Sequence, residues 1–345
     1  MATIKDVANL AGVSAGTVSI ILNGKASERK ISIETQEKVM AAVKELDYRP
    51  NISARKLRSQ DVSNNPTIAL YWASDVRVNL MARFLRGLQN ATSQLGRNFD
   101  IVICPYKNDF LHLENGLKHR NIYNAAIIAN TSVSDMEYLE SITPEIPVVL
   151  FNRFSDKYCA VHVDNYKMGV ESALLFSKMG HKDAAIMLAK SAYLAMDIRN
   201  RGFVETCKNN GIEILPENII ISDNTIEGGV EAAKKFINLD NPPKALFCNS
   251  DTIALGALHV FNKEGIKVPE DVEIIAVGMS SVENTEFSNP PLTVVNIPME
   301  EMATSCIKII SGLIDHNVEN STSILFDTPL IIRDSCGAIR PKSAQ

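Results

Sequence analysis

TIKDVANLAGVSAGTVSIILN, residues 3–23, reads as two short amphipathic helices joined by a tight turn. Ile4, Val7, Ala8 and Ala11 recur at helical spacing, as do Val18, Ile21 and Leu22. Between the two runs, Gly12 can take the positive-φ corner that so short a connection needs. Ser14 follows where its hydroxyl can satisfy an orphan amide of the second helix. A Gly-centred turn between two such helices is the pattern of a helix–turn–helix, whose second helix enters the DNA major groove. A plain helical hairpin is the alternative for this stretch taken alone.

Working outward, SIETQEKVMAAVKELDYRPN (32–51) is a third amphipathic segment, with Val39, Val43 and Leu46 on one stripe. Ser32 or Thr35 can cap its start, and Pro50 stops it. A short basic stretch, NISARKLRSQ (51–60), leads into a loose linker. Charge follows the same division. Residues 1–58 hold ten Lys/Arg against six Asp/Glu, a net +4, so the remainder carries −9 of a chain total of −5. A basic module on an acidic body attracts phosphate at one end and stays soluble at the other.

From residue 66 onward, apolar strands alternate with amphipathic helices. TIALY (67–71), FDIVIC (99–104), AAIIA (125–129), PVVLF (147–151), AAIMLA (184–189), KALFCN (244–249) and VEIIAV (272–277) read as strands. Helical patterns cover 79–95, 134–142, 166–179, 198–210, 226–239 and 251–264, and Gly96, Gly180, Gly211 and Gly265 stand just past helix ends. This rhythm predicts parallel sheets covered by helices on both faces. The expected organisation is an all-α helix–turn–helix headpiece (1–50), a hinge helix and linker (51–65), and an α/β core of two doubly wound parallel-sheet lobes (66–345). The first lobe takes 66–163 plus 296–322, including a crossover helix at 299–314. The second takes 164–293 plus the closing strands, 323–340.

The six cysteines are scattered without CxxC spacing and read as reduced core thiols of a cytoplasmic protein. The N-terminus does not resemble a signal peptide, and no apolar run has membrane-spanning length. No Gly-rich phosphate loop, metal-ligand cluster or Ser/His/Asp spacing is present, and the six histidines are dispersed, so neither a cofactor nor a metal is expected. An enzyme or a transporter's solute-binding protein on the same α/β core remains the alternative, since fold does not fix function.

TIKDVANLAGVSAGTVSIILNGK…TQEKVMAAVKELDYRPNISARKLR resembles the headpiece of the LacI/GalR family of bacterial transcription regulators. VHVDNYKMGVESALLFSKMGHKDAAIM, IRNRGFVETCKNNGI, ALFCNSDTIALGALHVFNKEGIKVPEDVEIIAVG and NPPLTVVNIPMEEMA resemble that family's periplasmic-binding-protein-like core. The resemblance implies a homodimeric repressor that binds pseudo-palindromic operator DNA. A small molecule, such as a sugar or related metabolite, would bind between the lobes and alter DNA affinity.

At the positions that read bases in the family stand Ala15 and Gly16, with Ile20 one turn on. Ala15 and Ile20 donate no hydrogen bonds and offer only methyl contacts, while Gly16 permits close backbone approach. Ser14, Thr17, Ser19 and Asn23 suit phosphate contacts. The connection that carries Lys25, Arg29 and Lys30 is about three residues longer than the family's, and these cations can add backbone contacts. The resemblance adds Tyr48, Asn51 and Ala54, and makes Leu57 a minor-groove wedge flanked by Arg55 and Arg58.

For the effector, Arg199 matches a family arginine that faces the cleft. Ser250 replaces a family asparagine, and Ser280 replaces an aspartate that follows the last-strand glycine, so two usual sugar-hydroxyl partners become serines. Asp251 is a helix-cap residue in this reading, as well as a cleft candidate. Trp72, Ser74 and Asp75, just past the first core strand, and Arg153 and Phe154, past PVVLF, complete the candidates. The 79–95 helix, with Leu80, Phe84, Leu85 and Leu88, offers part of a face to a dimer.

Overall fold

The structure is a computed structural model that describes residues 3–22, 26, 29–46, 48, 65–74, 80–118, 122–190, 194–318 and 321–337. Three helices make the headpiece: α1 (Ile4–Ala11), α2 (Ala15–Leu22) and α3 (Ile33–Glu45). Thr3 and Asp6 form a capping box at the start of α1, and Gly12 ends that helix at φ 66°. The Ser14 hydroxyl accepts the Thr17 amide at 3.1 Å, and Ser32 rather than Thr35 caps α3. Val7, Val18, Ile21, Val39 and Ala42 close over one another as the headpiece core.

Two six-stranded sheets form the body. The first contains β1 (Thr67–Ala73), β2 (Asp100–Tyr106), β3 (Ala125–Ala129), β4 (Val148–Phe151) and β5 (Cys159–Val163). Its helices are α4 (Met81–Leu95) and α5 (Val133–Ser141). The second contains β6 (Ala184–Ala189), β7 (Ile219–Ser222), β8 (Ala245–Cys248), β9 (Glu273–Gly278) and β10 (Thr293–Asn296). With it run α6 (Asn165–Lys178), α7 (Leu194–Asn209), α8 (Ile226–Ile237), α9 (Asp251–Glu264) and the short α10 (Val282–Glu286). Helix α11 (Met299–Ile314) then crosses back and packs on α4, so tightly that a Cβ on Gly87 would strike the Glu300 carbonyl.

The last two strands, β11 (Ser323–Phe326) and β12 (Leu330–Ile331), part company. The orders are β11-β5-β4-β3-β1-β2 and β12-β10-β9-β8-β6-β7. The expectation that both closing strands return to the second lobe is therefore corrected. β11 pairs in parallel with β5 of the first sheet, and only β12 joins the second, antiparallel to β10. Thr328, buried, lies between them, so the chain changes lobes after β11.

Every residue of β1, β3, β4, β8 and β9 is buried, the pattern of parallel strands covered on both faces. Gly96, Gly180, Gly211 and Gly265 all take positive φ as expected. The edge strands differ. Val102 and Ile103 on β2, and Ile219 and Ile221 on β7, are exposed.

Candidate DNA-binding headpiece and interlobe cleft

The exposed edge of α2 follows from how its other side packs. Val18 and Ile21 face the headpiece core, and Ala15 and Leu22 lie partly buried against it. Ala15 therefore has a packing role, which limits it as a base reader. Ile20 is half-exposed and is not among the core residues, so its apolar surface is left for something outside the headpiece. Gly16 is exposed, and a Cβ there would meet only the Ser14 hydroxyl at 3.6 Å. The fold does not require that glycine.

Ser14 is exposed beside Gly16, while Thr17 and Ser19 are half-buried. Arg29 and Lys30 are exposed, Lys30 at φ 53°. Tyr48 packs partly buried against the headpiece core. Asn23, Lys25, Asn51, Ala54, Arg55, Leu57 and Arg58 lie outside the described residues, as does Asp75.

In the body, the carboxyl ends of strands from both lobes face one another across a narrow cleft with about 30 Å³ of free volume. Such ends are where open α/β sheets bind ligands. The first lobe contributes Leu80, Asn130, Phe151, Asn152 and Arg153. The second contributes Ala195, Met196, Arg199 and Met279, and the crossover gives Ile297 and Met299.

Arg153 donates from Nε to the Thr131 carbonyl at 2.8 Å and from Nη1 to the Asn152 carbonyl at 2.6 Å. Arg199, only 1% exposed, donates from Nε to Asn165 Oδ1 at 2.9 Å and from Nη1 to the Met279 sulfur at 3.3 Å. Burial, and then the like charge of Arg153, lowers the Arg199 pKa to about 10, against a smaller opposing pull from Asp251. It stays charged at neutral pH.

The geometry of a helical headpiece joined to a two-lobed body can be set beside known proteins. Residues 3–51 match the family described as bacterial regulatory proteins, lacI family, and residues 174–336 match the periplasmic binding protein-like domain. A crystal structure of a LacI family transcription regulator from Clostridium acetobutylicum is 56% identical, covering 78% of this chain and 100% of that one, with a TM-score of 0.75. The chain belongs to the LacI family of bacterial transcription regulators.

Among curated LacI-family relatives, the probable transcriptional repressor ExuR of Bacillus subtilis is 27% identical over 97% of this chain and 98% of its own length. The Escherichia coli repressor CytR is 28% identical over 98% and 97%. A regulator solved as a CelR–cellobiose complex is 26% identical, with a TM-score of 0.67, over 97% of this chain and 100% of that one. No described helix is long and apolar enough to cross a membrane.

Within this LacI-family frame, the expected cleft residues sort clearly. Arg153 and Arg199 line the cleft together. Trp72 does not: it lies inside β1, 1% exposed, packed edge-on against Phe84 with Phe151 beyond it. β1 runs two residues further than its aliphatic run suggests, which draws the indole into the core. Phe154 is 56% exposed and turns to His162 instead of the cleft. Ser74 is exposed at the end of β1 and is not part of the wall.

Ser250 is the true cap of α9, its hydroxyl accepting the Thr252 amide at 3.3 Å. This corrects the cap reading of Asp251, whose Oδ2 takes the Met279 and Ser280 amides and the Ser280 hydroxyl at 3.1, 2.8 and 2.6 Å. Desolvation raises the Asp251 pKa, against those hydrogen bonds. Ser250, Asp251 and Ser280 thus stand behind the wall and hold Met279 in it.

Sequence reasoning missed Asn152 and Asn165. An Asn at the end of a strand carries little signal. Asn152 takes φ 57°, a left-handed conformation that asparagine tolerates better than most residues, and this turns the chain toward the cleft.

Proposed function

We propose that this LacI-family regulator represses transcription as a homodimer on pseudo-palindromic operator DNA, and that a small molecule in the interlobe cleft alters its DNA affinity. One observation carries the reading: a headpiece with an uncovered α2 edge and a cleft walled by both lobes occur on one chain. A ligand bridging the walls shifts the lobes' relative positions, because it binds one arrangement better than the other. The relatives named as repressors and the cellobiose complex of CelR support the same roles here. The reading places the protein in the cytoplasm with its DNA and gives it no catalytic role.

Base reading in this proposal falls to the exposed α2 edge, with Gly16 letting the backbone approach closely and Ile20 meeting thymine methyls. Ser14, Thr17, Ser19, Arg29 and Lys30 hold phosphates, while Ala15 supports the packing. Leu57 and its basic neighbours act at the operator centre. The exposed residues of β2 and β7 supply the dimer surface.

Selection of binding sites from random duplex DNA by the full-length protein tests this. A palindromic consensus, lost when residues 1–60 are removed while the core still folds, is the expected result. Binding that is purely salt-driven, with no consensus in the absence or presence of a ligand, overturns it.

A further inference from the structure

The cleft presents hydrogen-bond donors in excess of acceptors. Arg199 is buried and charged, yet no carboxylate of a described residue lies within ion-pair distance of it, and its Nη2 finds no acceptor among the described residues. One of its two protein acceptors is a thioether sulfur, a weak one. Arg153, the second guanidinium of the same wall, bonds backbone carbonyls of Thr131 and Asn152. Among the described residues that line the cleft, none is acidic.

The amides extend this bias. Arg199 Nε requires the oxygen of Asn165, so the Asn165 nitrogen is left to donate to Asn152 Oδ1 at 3.4 Å. That orientation leaves the Asn152 amide nitrogen as a further donor at the cleft wall. The nearby carboxylate, Asp251, lies beyond ion-pair distance of Arg199: its Oδ2 takes three donors from Met279 and Ser280, and its Oδ1 is buried with no partner among the described residues. A buried cation with no ion-pair partner and only a weak pull from a more distant carboxylate is costly, and a neutral hydroxyl repays little of that cost. A carboxylate or phosphate repays it through charge-assisted hydrogen bonds, about twice as strong as neutral ones.

From this geometry we infer that the effector of this protein is a small anionic metabolite, whose carboxylate or phosphate group is held between Arg199 and Arg153 with Asn152 beside it. The inference rests on the proposed role of the cleft as the effector site. Leu80, Phe151, Met196 and Met299 make the rest of the wall apolar, so the remainder of the ligand packs a carbon face against them. The serines at 250 and 280 fit the same picture, since neither brings a carboxylate to the wall.

The test is direct binding to the full-length protein, without DNA, by calorimetry and thermal shift. The probes are glucuronate, galacturonate and gluconate as carboxylates, glucose 6-phosphate and fructose 6-phosphate as phosphates, and glucose, galactose and fructose as neutral parents. The expected result is that at least one anion binds at least 30-fold more tightly than its parent. The carboxylate and phosphate arms identify which anion the site takes. Arg199→Gln should remove that preference, so that in the variant the anion and its neutral parent bind within about threefold of each other. Arg199→Met serves as a second variant: without ligand it should melt no lower than the native protein, because it deletes an uncompensated buried charge.

Equal or tighter binding of a neutral parent, no binding by any anion of the panel, or an anion preference that survives Arg199→Gln overturns the inference. Loss of fold by Arg199→Gln does not rescue it, because the native protein's ranking of probes stands alone. Site selection on DNA reads the regulator proposal separately, so the two can fail independently.

Discussion

Arg83 on α4 engages both carboxylate oxygens of Glu300 on α11, with Nε 2.9 Å from Oε1 and Nη2 2.6 Å from Oε2. The same guanidinium donates to the carbonyls of Ser280 and Ile297, each at 3.1 Å. One buried side chain of the first lobe thus ties the crossover helix to the end of β9 in the second. Met279, whose sulfur accepts from Arg199, adjoins that end, so the tie lies directly behind the cleft wall.

The pair has a defined acid limit. Burial raises the Glu300 pKa, but the hydrogen bond and charge of Arg83 outweigh it and hold the folded carboxyl below the ordinary glutamate range. On acidification the unfolded chain therefore takes up this proton first. The pair's contribution is present in full above the unfolded pKa, about 4.3, and is lost as pH falls through the lower folded value. Glu300→Gln should cost about 2 to 4 kcal/mol at pH 7. In urea melts the gap between native and variant should close toward pH 3. A gap that stays constant from pH 7 to pH 3 would refute this account.

Gly16 separates what the fold needs from what DNA needs. Because a Cβ there meets only the Ser14 hydroxyl, Gly16→Ala should stabilise the headpiece by up to about 1 kcal/mol through helix propensity. The same methyl would stand between α2 and the groove floor, and selected-site affinity should fall at least tenfold while non-specific binding is kept. Thermal melting and band-shift titration at one stated salt concentration check the two halves. Unchanged operator affinity would remove Gly16 from the reading surface.

The dimer proposal puts Ile103 and Ile221, both exposed on edge strands, at a subunit contact. Ile103→Asp with Ile221→Asp adds charge to that contact and touches no core residue. Sedimentation should show a monomer with native circular dichroism and operator affinity reduced by more than tenfold. A dimer that persists at micromolar concentration would locate the interface elsewhere, with Phe287, 78% exposed beyond α10, the next surface to examine.

Much of this organisation is legible in the sequence because periodicity is local. The helix–turn–helix and its Gly12 corner, and the 251–264 and 299–314 helices, lie where the spacing of apolar residues puts them. β7 escaped notice: its apolar run, Ile219 to Ile221, is only three residues long before Ser222, too short to stand out as a strand. The return of β11 to the first sheet depends on a partner more than 150 residues away, which no local pattern encodes. The cleft divides in the same way. Arg199 is recognisable by its match to a family arginine, and Arg153 by its place just past the PVVLF strand. The roles of Arg83, Asn152 and Asn165 arise only when distant strand ends meet.

Trp72, the only tryptophan, provides a label for the cleft without being part of it. Its ring packs 5.4 Å from Phe84 and 6.5 Å from Phe151, measured between centroids, and Phe151 lines the cleft. The indole Nε1 is buried with no hydrogen-bond partner among the described residues, and the ring packs among phenylalanines. Emission should therefore be blue-shifted and resistant to acrylamide. A ligand that presses on Phe151 should change its intensity without changing acrylamide access, because the ring is already shielded. Stacking of the indole on a ligand would instead give strong quenching in the free protein and protection on binding. Stern–Volmer titrations with and without ligand distinguish the two, and free quenching of the unliganded protein would move Trp72 back into the binding surface.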